Sequence, residues 1–202
     1  RRGNFDKAKL LCERALAIQN KISDKTGSLP TLRLLADIAL EQKDYQVANG
    51  YCQQALILCE ELQDRGEMAA TYYSLTVVAR HQDNLDSAQI YAEKSLALCQ
   101  WMGNRGFQAL TLYELSRVHT KKNDLLLAAK VGVESLKLMQ DLHEDFNLVY
   151  VMRHLGAVYQ ETGQHEQADK LWREALDISK TQNHPLVDQL RQHLGESYET
   201  IR

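Results

Sequence analysis

Residues 83–96 read DNLDSAQIYAEKSL, and two of them decide the fold: Ala88 and Leu96 each recur at a step of forty residues in both directions. The first column is Ala8, Ala48, Ala88, Ala128 and Ala168; the second is Leu16, Leu56, Leu96, Leu136 and Leu176. The position before that leucine holds only small side chains, Ala15, Ala55, Ser95, Ser135 and Ala175, which suits a place where two helices approach closely. A further column, Leu35, Leu75, Leu115 and Leu155, is followed each time by a small or modest residue: Ala36, Thr76, Ser116 and Gly156. Leu85, Ala88, Ala92, Ser95, Leu96, Cys99 and Met102 fall at steps of three and four, the stripe of one helix face. Tyr72, Leu75 and Ala79 do the same in the segment before.

Short breaks separate the two segments at Gly3-Asn4, Asp83-Asn84, Asn123-Asp124 and Gly163, residue types that tolerate a left-handed backbone. Lys43-Asp44 is the weakest of these breaks. Each repeat is therefore a helix pair whose apolar face it cannot bury alone, and stacked pairs make the core continuous.

These columns resemble the tetratricopeptide repeat (TPR) family, and residues 152–175 carry the pattern in order: Met152, Leu155-Gly156, Tyr159, Ala168, Trp172 and Ala175. The family's usual repeat is shorter and closes its second helix with proline, whereas Asn20, Glu60, Gln100, Gln140 and Lys180 stand at that position here. The stretched repeats are similar to those of spindle-orientation adaptors (LGN/Pins), kinesin light chain and bacterial sensor arrays. They depart from the Leu-Gly-Asn signature of the first group, having Asp37, Val77, Arg117, Ala157 and Glu196 at its third position. The resemblance implies an all-α, right-handed α-solenoid of stacked antiparallel helix pairs, a TPR superhelix of about ten helices.

The expected organisation is a single array over 1–202, with an orphan second helix at 1–22 and helix pairs at 28–62, 67–102, 107–142 and 147–182. A closing helix at 186–202 is expected because Leu194-Gly195 and Tyr198 match Leu155-Gly156 and Tyr159. Both ends cut through the register, as in a fragment of a longer protein, and the uncovered ends would favour self-association.

Composition agrees with a continuous helical body. Pro30 and Pro185 are the only prolines, and no Gly/Ser-rich linker interrupts the chain. A net charge of −3 lacks the basic excess of a phosphate-backbone binder, so no direct nucleic acid partner is expected. No apolar run approaches the roughly 18 residues of a membrane span, and the start lacks a signal-peptide core. A cytoplasmic location without membrane attachment is the expectation. Cys12 and Cys52 share one column, and Cys59 and Cys99 another, as reduced core residues do.

Motifs of catalysis, phosphate binding and metal ligation are missing from the sequence, so neither enzymatic activity nor a cofactor is expected. His119, in the tyrosine column, and His165, where Phe5 and Tyr45 stand, are read as structural, and His184 is expected beside Pro185 in a loop. The resemblance implies that function lies in the concave groove lined by the first helices, for a protein or peptide ligand. Transferred to this sequence, the groove positions are Arg33, Tyr73, Val77, Arg80, His81, Tyr113, Arg117, Thr120, Lys121 and Arg153, with Asp37, Leu40, Glu41, Ala157, Gln160, Glu161, Gln192, Glu196, Glu199 and Thr200 toward the ends. Arginine offers a planar fork to carboxylates, and tyrosine offers apolar area at small entropic cost. A segment with acidic and apolar residues is the expected ligand, bound by an adaptor or by the sensor part of a larger signal-transduction or transcription-control protein.

Overall fold

The turns explain why this sequence makes helices of one length. A computed structural model describes residues 2–195, with side chains from Phe5 onward. Among the described residues a left-handed residue recurs every twenty positions, at Ser23, Lys43, Gln63, Asp83, Gly103, Asn123, His143, Gly163 and Asn183. At Lys43 its N–H bonds back to Leu40 O (2.9 Å) and the next N–H to Ala39 O (2.8 Å), which satisfies carbonyls the ending helix leaves open. That next residue then caps the following helix. Asp24, Asp44, Asp64, Asn84 and Asp124 accept from the N–H three residues on, at 2.9–3.3 Å. Lys43-Asp44, the weakest break in the sequence, is as regular as the others because Asp44 supplies the cap. Gly3 and Asn4, expected to form a break, instead lie in the first turn of a helix.

Ten helices occupy the described residues: α1 (Arg2–Lys21), α2 (Lys25–Glu41), α3 (Tyr45–Leu62), α4 (Arg65–His81), α5 (Leu85–Met102), α6 (Arg105–Lys121), α7 (Leu125–Leu142), α8 (Asp145–Glu161), α9 (His165–Thr181) and α10 (Val187–His193). There are no strands among them, and the chain is an all-α stack of helix pairs. No helix among the described residues is long and apolar enough to cross a membrane. The chain divides into two compact units, Arg1–Asn104 and Arg105–Arg202.

In the first unit each helix packs on the next, and α2 also packs on α4. Leu29, Leu32, Ala55 and Cys59 form one core cluster; Ala36, Cys52, Tyr72 and Leu75 form a second; Ala39, Ala48 and Val78 form a third. In the second unit the same order holds for α6 to α10, with α6 also on α8, around Met139, Val149, Met152, Trp172, Leu176 and Leu190.

The small-residue columns are contact points. Ser95 and Ser135 are fully buried and donate to the first-helix carbonyls of Ala69 (2.9 Å) and Ala109 (2.7 Å). Gly156 faces Trp172 so closely that a Cβ would sit 2.3 Å from the indole nitrogen. His184, expected in a loop, is buried there: its Nε2 lies 3.2 Å from Phe146 O, and Leu186 N–H donates to its Nδ1. Beyond it α10 ends at His193, and Gly195 has a positive φ of 68°. Leu194-Gly195 thus stands at a helix end where Leu155-Gly156 stands mid-helix; Glu196, Tyr198, Glu199 and Thr200 lie outside the described residues.

Candidate functional site

First helices present the expected groove residues, and each unit is built separately. In the first unit α2 places Arg33 beside acids. Its Nε is 3.2 Å from Glu67 Oε2 on α4, and its Nη1 is 3.7 Å from Asp37 Oδ2 one turn along α2. Burial pushes the Asp37 carboxyl up, with Glu41 and Glu67 adding to the shift and Arg33 opposing it. Tyr73 and Val77 on α4 are half-buried. Arg80 was expected on the open face but is only 4% exposed. Its Nη2 lies 3.1 Å from His81 Nε2, and because a guanidinium only donates, the ring nitrogen accepts. The His81 ring stacks on Tyr45 at 4.5 Å.

In the second unit α6 and α8 bring a tighter group together. The Arg117 guanidinium lies 5.3 Å over the Tyr113 ring and 2.6 Å from Glu114 Oε1. Tyr113 is itself 9% exposed, less open than the sequence pattern implied, and the His154 ring packs against it in a T-shaped arrangement at 5.7 Å. Lys121 stays exposed one turn beyond Arg117. From α8, Arg153 is partly exposed, and its Nε is buried without a hydrogen-bond partner among the described residues.

His154 completes the group and has a defined tautomer. Ser116 Oγ donates to Ala128 O (2.7 Å) and Thr120 Oγ1 donates to Ser116 O (3.0 Å), so both hydroxyl protons are committed. His154 Nε2, 3.1 and 3.4 Å from those hydroxyls, must therefore donate. Burial, reinforced by the positive charges of Arg117 and Arg153, lowers its pKa to about 4.

Comparison with known sequences and structures follows this geometry. Tetratricopeptide-repeat profiles match residues 29–100 and 148–181. The chain belongs to the tetratricopeptide repeat family. No protein of curated function matches the sequence. Among solved structures, BtubC (BKLC) from P. vanneervenii superposes with a TM-score of 0.76 at 16% identity, over 95% of this chain and 85% of that one. A signal-transduction ATPase with numerous domains and a tetratricopeptide repeat sensor, from Pyrococcus horikoshii, gives 0.74 at 18% identity, over 96% of this chain and 28% of that one. A Podospora anserina putative kinesin light chain with nearly identical TPR-like repeats gives 0.71 at 18% identity, covering 90% of each chain. At such identities the likeness is one of fold.

Within this TPR chain, Glu67, Glu114 and His154 belong to the candidate faces and were missed by pattern reading. Glu114 and His154 share the column immediately before the core leucine, with Ser74 between Leu34 and Glu114 in that column. Polar residues beside a core position were the available signal. Glu114 is 3% exposed, so the central face combines basic groups with a buried acid. Among the described residues no group of three His, Cys, Asp or Glu side chains is arranged to hold a metal.

Proposed function

We propose that this TPR chain is a non-enzymatic protein-interaction module that binds a peptide or protein segment carrying acidic and apolar residues. The family is one of protein–protein interaction repeats, which supports the general statement. The particular ligand class rests on Arg153. Arg153 is partly exposed, and an incoming carboxylate would accept a charge-assisted hydrogen bond from the open edge of its guanidinium. Tyr113 and Arg117 supply the neighbouring aromatic and cationic contacts, and Lys121 extends the positive charge along α6. In the first unit Arg33, Tyr73, Val77 and His81 form the corresponding set, with Arg33 already engaged by Glu67 and Arg80 buried.

A random peptide library selected on the full chain tests this. Peptides with an acid next to apolar residues should be enriched. Arg153→Gln and Arg117→Glu should each weaken them by about tenfold or more at unchanged helical content, the scale of losing a charged contact. Unchanged affinity in both variants would refute the assignment.

A second reading, a regulatory sensor segment of a larger protein, draws on the Pyrococcus structure described with a TPR sensor. An effector domain of the same protein whose activity changes on peptide binding would favour it.

A further inference from the structure

The turn-side edge of the first unit carries a departure from the repeat that the α6/α8 face does not involve. The first residue of a first helix and a residue thirty-six positions on, near the end of the following second helix, pair within a repeat. Lys25 Nζ meets Glu61 Oε2 at 2.8 Å, and Arg105 Nη2 meets Asp141 Oδ2 at 2.6 Å. Between these in register stand Arg65 and Trp101. Here the acid is replaced by an indole, and the Arg65 guanidinium lies 4.2 Å over its ring. Among the described residues Arg65 has no carboxylate within ion-pairing distance.

A guanidinium over an indole face keeps its five N–H donors, since the ring takes none of them in a conventional hydrogen bond. Trp101 is 68% exposed, a large apolar surface at a position that is charged in both flanking repeats. An exposed cation–π contact and an exposed ion pair stabilise a fold by similar amounts, so the exchange brings the fold no evident gain. Beside the pair a cleft of about 500 Å³ is lined by Glu60, Gln63, Arg65, Met68 and Leu98. It offers apolar surface at Met68 and Leu98 next to the exposed guanidinium.

We infer that Arg65, Trp101 and the adjoining cleft form a docking site for a partner segment that presents one carboxylate beside an apolar side chain. The carboxylate takes the place that Glu61 and Asp141 hold in the flanking repeats. The apolar side chain lies on the indole and into the cleft toward Leu98. Glu60 at the rim selects against a second acid on that side. Tryptophan and arginine are the residue types most often found to dominate binding energy at interfaces.

The site is tested with the full chain carrying Arg117→Glu and Arg153→Gln, which takes the α6/α8 face out of the selection, and a random peptide library. Peptides with a single acid flanked by aliphatic or aromatic residues should be enriched and then titrated against chain labelled with 5-fluorotryptophan. The Trp101 resonance should shift saturably while that of Trp172, 4% exposed, stays in place. Arg65→Gln and Trp101→Ala should each weaken these peptides by about thirtyfold or more, the scale of a hot-spot truncation. Trp101→Asp should restore the ion pair of the flanking repeats, keep the helical content and abolish binding. The parent chain should bind these peptides as tightly as the Arg117→Glu, Arg153→Gln chain on which they were selected, which separates this site from the α6/α8 face. Peptides that bind Arg65→Gln and Trp101→Asp as tightly as the parent chain overturn the proposal, as does a selection without acidic–apolar enrichment. Dimerisation of the chain that Trp101→Asp abolishes would assign the patch to a second copy and overturn it as well.

Discussion

Gly156 and Gly50 lie inside helices and should respond oppositely to the same substitution. At Gly156 an added Cβ would stand 2.3 Å from Trp172 Nε1, 2.7 Å from Cδ1 and 2.8 Å from Cε2, where unstrained carbon contacts are about 3.5–4.0 Å. The indole must move by about an ångström, and it is hemmed in: Trp172 donates to Arg153 O at 3.2 Å and stacks on His193 at 4.7 Å. Overpacking of this kind costs about 1–3 kcal/mol, and losing the indole hydrogen bond adds about 1 kcal/mol. Replacing glycine in a helix interior returns about 1 kcal/mol. Gly156→Ala should therefore destabilise the chain by about 1–3 kcal/mol. A Cβ at Gly50 meets nothing within 4 Å, so Gly50→Ala should stabilise by about 0.5–1 kcal/mol. Urea unfolding followed by circular dichroism, and by Trp172 fluorescence in a Trp101→Phe background, measures both. A Gly156→Ala variant as stable as the parent would refute the packing assigned to that column.

His154 and the cysteines supply two further tests. The folded pKa of His154, about 4, lies below the ordinary 6.5, so the unfolded chain takes up a proton first as pH falls. Its contribution is complete above pH 6.5 and disappears between 6.5 and 4, up to about 3 kcal/mol. His184 and His193 are lowered in the same direction, so the readout is the difference between parent and His154→Gln in urea midpoint against pH. Equal slopes would contradict the buried neutral ring. Burial, with a contribution from Asp37, pushes the Cys52 thiol up to about 12, and burial pushes Cys59 up to about 11, while Cys99 is fully buried. A thiol reagent at mildly alkaline pH should label Cys12 in the native chain and the other three only after unfolding; rapid native labelling of Cys52 or Cys59 would show that they are not core residues.

Much of the repeat architecture was legible because it is periodic. The alanine and leucine columns recur at forty residues, and a column restricted to Ala and Ser can only be a close approach, as the Ser95 and Ser135 bonds to Ala69 and Ala109 bear out. The twenty-residue rhythm of the turns was harder to see. The left-handed position is held by Ser23, Lys43, Gln63 and His143 as readily as by Gly103, so its identity carries little signal. The strain is offset by backbone bonds to the preceding helix and, after Ser23, Lys43, Gln63, Asp83 and Asn123, by an Asp or Asn cap, and that cap was the marker to follow.

The sequence by itself determined which helix faces are buried, because burial leaves a period and every repeat restates it. Only the tertiary structure decided what the polar side chains do. Arg33 meets Glu67 from thirty-four residues away, Arg80 and Glu114 are buried, His154 bonds to Ser116, and Arg65 rests on Trp101. Each depends on a rotamer and on a neighbouring helix. A hydrophobic stripe adds up over many residues and tolerates substitution, whereas each of these contacts is made at one repeat only, between two groups a few ångströms apart, and leaves no period to read.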